Sequence, residues 1–121
     1  MSHAAYAAAM KVVQVVLLVL HLLGVLALLV GLLVQVRRPE KRVTSPMRDG
    51  IGTNVVAGLL LVGVLEARDQ EFDHASVAVM FGIGLLILVL VMANLRKPAI
   101  PTWLYWAILV LTVANIGVAY S

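Results

Sequence analysis

Four long apolar stretches separated by short polar gaps set the pattern of this sequence. Val12 to Val36 is the longest, interrupted by Gln14, His21, Gly24, Gly31 and Gln35. Ile51 to Leu65 is the shortest and needs Gly50 and Glu66 near its ends to approach bilayer thickness. Ala75 to Leu95 carries no charge, and Trp103 to Tyr120 forms the last stretch. A membrane-crossing helix needs roughly 17–25 mainly apolar residues. The pattern therefore predicts transmembrane helices over approximately 11–36, 50–67, 74–95 and 102–120. The short connections make neighbouring helices antiparallel within one domain, an all-α four-helix membrane bundle. The second span is marginal, short enough to be re-entrant or tilted against its neighbours.

Local signals agree with this division. Pro39 and Pro46 break the first connection, and Pro98 and Pro101 break the third. Trp103, Tyr105 and Trp106 open the last span where an interfacial aromatic belt is expected, with Tyr6 and Tyr120 as candidates for the opposite interface. Asp73 is placed to cap the third helix, because a carboxylate suits a helix N-terminus.

Composition changes the picture in one respect: it names the solvent. Of 121 residues, 63% are hydrophobic and 12% charged, against about half and a quarter in soluble domains. So short a chain cannot bury that much apolar surface in an aqueous core. A bilayer is the expected surroundings, and a plasma membrane the expected location. The net charge of +3 does not imply nucleic acid, because the cations cluster between apolar runs. Arg37, Arg38, Lys41, Arg42 and Arg48 follow the first span, and Arg96 and Lys97 follow the third. The middle connection instead holds Glu66, Asp69, Glu71 and Asp73 with Arg68. The positive-inside rule puts the two basic connections in the cytoplasm and both termini outside. Those seven cations also lie where anionic headgroups are met, each contributing about 1 kcal/mol near the surface. Met1 to Ala9 is too weakly charged for a signal-peptide n-region, so the first run is expected to be a retained span. Cysteine is absent, which removes disulfides and thiolate chemistry.

Polar side chains within the spans are the candidate chemistry, because they are costly in lipid and normally face protein or water. On a helical wheel Gln14, His21, Gly24, Gly31 and Gln35 share roughly a 100° arc. That arc is the face expected to meet other helices, with Gly24, Ala27, Gly31 and Gly58 allowing close backbone approach. His21 and Asn115 lie about 22 Å and 20 Å from the basic edge by helical rise, so the two could meet. With Thr112, and with Glu66 slightly further out, they form a candidate intramembrane polar cluster. Its functional reading is proton-linked or ligand binding, since histidine titrates near neutral pH. Its plain reading is a histidine satisfied by Asn115, Thr112 or a backbone carbonyl. Gln35, Asn54 and Asn94 occupy the basic half and are expected to make interhelical hydrogen bonds. Glu66 reads as an interfacial carboxylate paired with Arg68.

Catalytic signatures are missing: no Walker loop, no Gly-x-Ser-x-Gly elbow, no His-Glu-x-x-His helix. No enzyme activity, metal or cofactor is expected. Membrane haem usually takes two axial side chains at one depth, and His21 is the single deep histidine.

His21-Leu22-Leu23-Gly24, the basic turn, Gly58 to Gly63, Asn94-Leu95-Arg96-Lys97 and Ala114-Asn115 together resemble small four-span integral membrane proteins of high-GC Gram-positive bacteria. The likeness covers nearly the whole chain. A remoter one is to four-helix membrane families of the copper-resistance D and haem-biosynthesis type, which carry a His in the first helix. This chain lacks their further deep histidines, so no metal or haem role follows. The expectation is an interaction or accessory protein, a homo-oligomer or a subunit of a larger membrane complex, respiratory or transport. A dimeric small-solute or proton-linked transporter is the alternative, and a haem- or redox-linked module the third reading.

Overall fold

A computed structural model describes residues 2–68, 71 and 73–119. Asp69 and Tyr120, assigned above to a connection and an interface, lie outside the described residues. The chain forms four helices, α1 (His3–Leu33), α2 (Ser45–Ala67), α3 (His74–Ala93) and α4 (Thr102–Ala119). They pack as an all-α bundle, without strands among the described residues, and each is long and apolar enough to cross a membrane. Four such helices fit a multi-pass membrane protein in a lipid bilayer.

Each helix begins and ends for an identifiable reason. α1 starts earlier than the apolar pattern does, because the Ser2 hydroxyl caps the Ala5 amide. The alanine-rich run behind it has the highest helix propensity. At 31 residues the helix is about 46 Å long, well beyond the roughly 30 Å hydrocarbon thickness. α2 corrects the expectation that Pro46 merely breaks a connection. Pro46 occupies the first turn of α2, where its missing N–H costs nothing. Those added residues bring α2 to 23, so the short apolar stretch belongs to a helix of full spanning length. Asp73 caps α3 by accepting from the Ala75 and Ser76 amides at 3.0 and 3.3 Å. α4 follows Pro101, whose carbonyl accepts from the Leu104 and Tyr105 amides.

Packing is uneven along the bundle. In α1 the buried residues run from Gly24 to Leu32, and in α2 from Met47 to Ala57. In α3 they run from Gly84 to Val91, and in α4 from Leu104 to Thr112. All four stretches lie toward the end that carries the two basic connections. There Leu28, Leu32, Met47, Ile51, Ile87 and Ile108 form the centre of one apolar core. Toward the acidic connection the described helical residues are exposed or half-buried. α1 packs chiefly on α2, α2 on α3 and α3 on α4, while α1 and α4 meet sparsely. The bundle is closed at its basic end and open at the other.

Candidate functional site

The closest helix approach is the α1–α2 crossing, and glycine makes it possible. A Cβ on Gly24 would stand 2.6 Å from the Asn54 nitrogen and 2.7 Å from the Gly50 oxygen. A Cβ on Gly50 would stand 2.6 Å from both the Gly24 oxygen and the Leu28 nitrogen. The two backbones therefore touch directly at this pair, with no side chain between them.

One turn away, His21 and Asn54 exchange bonds across the same crossing. The Asn54 amide donates to the His21 carbonyl at 2.9 Å, and His21 Nδ1 lies 2.9 Å from the Asn54 carbonyl. A carbonyl only accepts, so Nδ1 carries the proton. In the neutral ring Nε2 is then an acceptor. The ring fits a notch left by Gly58, where a Cβ would come within 3.0 Å of Nδ1. Asn54 is buried and His21 half-buried. The backbone carbonyl that satisfies the histidine thus belongs to Asn54.

The proposed grouping of His21 with Asn115, Glu66 and Thr112 does not assemble. The Thr112 hydroxyl donates to the Ile108 carbonyl of its own helix at 2.8 Å, the usual satisfaction of a buried threonine one turn back. Glu66 is exposed. The Asn115 Oδ1 is buried without a hydrogen-bond partner among the described residues. α1 and α4 meet sparsely, and His21 takes its hydrogen bond from α2. Arg68 donates to Gln14 Oε1, the side-chain amide oxygen, instead of pairing with Glu66, which ties α1 to the end of α2.

A second polar centre closes the basic end. Gln35, 3% exposed, donates to the Arg42 carbonyl at 2.8 Å and the Gly31 carbonyl at 3.1 Å. Its Oε1 accepts from the Arg42 amide at 2.9 Å, so it folds the α1–α2 connection back on the helix end. Asn94 donates to the Leu90 carbonyl at 2.7 Å within α3. Gln35 also donates to the Met47 sulfur of α2 at 3.4 Å, the expected bond to another helix, while Asn94 bonds within α3; both stand at helix ends where carbonyls lack partners.

Lys41 requires a larger correction. It is 5% exposed, not displayed toward headgroups. Its ammonium donates to the Gln35 carbonyl at 2.7 Å, the Val36 carbonyl at 2.8 Å and the Arg38 carbonyl. A cation at the C-terminal end of a helix offsets both the unpaired carbonyls and the negative end of the dipole. The same ammonium sits 4.8 Å from the centre of the Tyr105 ring, within cation–π range. Tyr105, expected in an aromatic belt, is instead fully buried and donates its hydroxyl to the Leu32 carbonyl. Trp103 and Trp106 remain exposed. The Lys41 carbonyl accepts from the Ile100 amide at 2.8 Å, an isolated antiparallel bridge that joins the two basic connections. The remaining cations of these connections, Arg37, Arg38, Arg42, Arg96 and Lys97, are exposed, and half-buried Arg48 pairs with Asp49 at 2.9 Å.

Sequence reasoning missed the Lys41–Tyr105 contact and the Gly50 half of the crossing. Gly50 was legible in principle as the start of the small-residue pattern Gly50, Asn54, Gly58 at helical spacing. Compared with known proteins, the chain matches no family model, no curated sequence and no solved structure.

Proposed function

We propose that the protein is a small membrane interaction or accessory protein, acting as a homo-oligomer or as a subunit of a larger complex. The observation that carries this reading is the uneven packing: the chain closes its own core at the basic end and leaves the other half open. Helices in lipid associate through close packing and interhelical hydrogen bonds, so an open half built of long apolar helices is suited to receive helices from outside. The intramembrane polar groups support it too. His21, Asn54, Gln35, Asn94 and Thr112 bond to the chain's own backbone, which makes them fasteners of the module. The basic connections face the cytoplasm in this reading and both termini face out, by the positive-inside rule. The resemblance to small four-span proteins of high-GC Gram-positive bacteria supports a plasma-membrane location.

The test is purification from native membranes in mild detergent. Stoichiometric recovery with a second membrane protein, or as a stable oligomer, supports the proposal. A monomer throughout would contradict it. One observation favours the transporter alternative: the buried Asn115 Oδ1 lacks a partner among the described residues of the open half, where a polar solute would find it. Proton- or ion-dependent flux in liposomes, abolished by Asn115→Leu, would decide for that alternative.

A further inference from the structure

We propose that the cavity between the α1–α2 connection and Pro98 binds a phosphate group, supplied by the headgroup of an anionic phospholipid. This inference needs the membrane location alone and stands apart from the interaction reading. The cavity holds about 370 Å³ and is lined by Arg38 and Arg42, with Val34, Pro39 and Pro98 as its apolar walls. It sits where α1 ends and α2 begins, the level at which spanning helices leave the hydrocarbon and meet headgroups.

Charge favours an anion there. Neither Arg38 nor Arg42 is ion-paired to a carboxylate among the described residues, although Glu40 also borders the cavity. Two guanidiniums against one carboxylate leave a net positive site, and a guanidinium fork matches phosphate oxygens in pairs. Carbonyls of the turn after α1 that would repel an anion are covered, because the Lys41 ammonium takes those of Gln35, Val36 and Arg38.

Thr44 is the independent sign of a missing acceptor. It is the N-cap residue of α2, yet its side chain makes no cap bond. Its buried hydroxyl has no partner among the described residues, and it stands beside Gly31, 3.3 Å from where a Cβ would be. Buried hydroxyls are ordinarily satisfied. Thr44 also lines the cavity, where a bound phosphate would offer its hydroxyl an acceptor.

The experiment uses the full chain in neutral detergent micelles, titrated with phosphatidylglycerol and read by native mass spectrometry and by thermal midpoint. The expected result is one retained lipid per chain and a raised midpoint, since a ligand of the folded state stabilises it. Arg38→Gln with Arg42→Gln should weaken retention roughly ten- to thirtyfold, and Thr44→Val should weaken it less. Arg37→Gln with Arg96→Gln removes the same charge outside the cavity and should leave retention near that of the parent. Circular dichroism of each variant separates lost binding from lost folding. Equal weakening by both double variants would mean general surface attraction and overturn the site. Stabilisation by inorganic phosphate without retention of phosphatidylglycerol would keep the phosphate site and overturn the lipid source. No response to either probe would overturn the proposal entirely.

Discussion

At the scale of single residues, the α1–α2 crossing depends on hydrogen atoms standing where other residues carry carbon. Gly24→Ala or Gly50→Ala drives a methyl into backbone, which cannot rotate away, so each should destabilise the bundle by about 1–3 kcal/mol. Gly52, whose Cβ position is open, should accept alanine with little change. Unfolding in mixed micelles compares the three. Tyr105→Phe removes the donor to Leu32 and should cost about 0.5–1.5 kcal/mol, while Lys41→Met leaves carbonyls unpaired and should cost about 1.5–3 kcal/mol. Tyr105→Leu removes the ring itself, so combined with Lys41→Met it should lose less than the sum of those two single variants. A strictly additive cycle in the same unfolding measurement would mean the cation–π contact contributes nothing. The sequence shows Lys41 as one of five cations in its connection, and which of them folds back is set by the turn that follows Val34. A cation shortly after a helix end is still a recognisable cap signal. Tyr105 was misplaced for a related reason: between two tryptophans it reads as interfacial, while the helix turns it inward.

At the scale of elements, helix ends follow local chemistry closely, and the apolar pattern does not see them. Pro46 lengthens α2 and Ser2 lengthens α1, since capping and first-turn proline act outside the greasy stretch. Asp73 is the element-scale group that titrates. Its carboxylate is held below the usual range chiefly by the Ser76 hydroxyl, then by the backbone amide of Ser76. A depressed folded value means the capping stabilisation is fully present above the ordinary carboxylate pKa and is lost as pH falls through the lower, folded one. The first turn of α3 should therefore fray on acidification below about 3.9. Exchange of the Ala75 and Ser76 amides measures this, normalised to the core amides. Asp73→Asn should flatten that pH dependence while keeping much of the cap. Unchanged acid sensitivity in that variant would remove Asp73 as the cause.

At the scale of the whole molecule, the number of helices was legible in hydropathy, whereas the uneven closure of the bundle was not. Spans of similar apolarity give no sign of which halves touch, and depth along the membrane does not report that α1 and α4 meet sparsely. Similar depth is what groups His21 with Asn115 in the sequence, although His21 bonds to Asn54 and the Asn115 Oδ1 has no partner among the described residues. The His21–Asn54 pair should contribute modestly, about 0.6 kcal/mol in the membrane average, so His21→Ala should weaken folding without abolishing it. As an interaction protein, the molecule has the open half of its bundle covered by protein. Since the chain has no cysteine of its own, a photo-cross-linker can be attached to single cysteines placed in turn from Val12 to Leu23 and irradiated in native membranes. Protein adducts should recur with a period of about 3.6 residues along α1. Lipid labelling alone at every position would contradict such coverage.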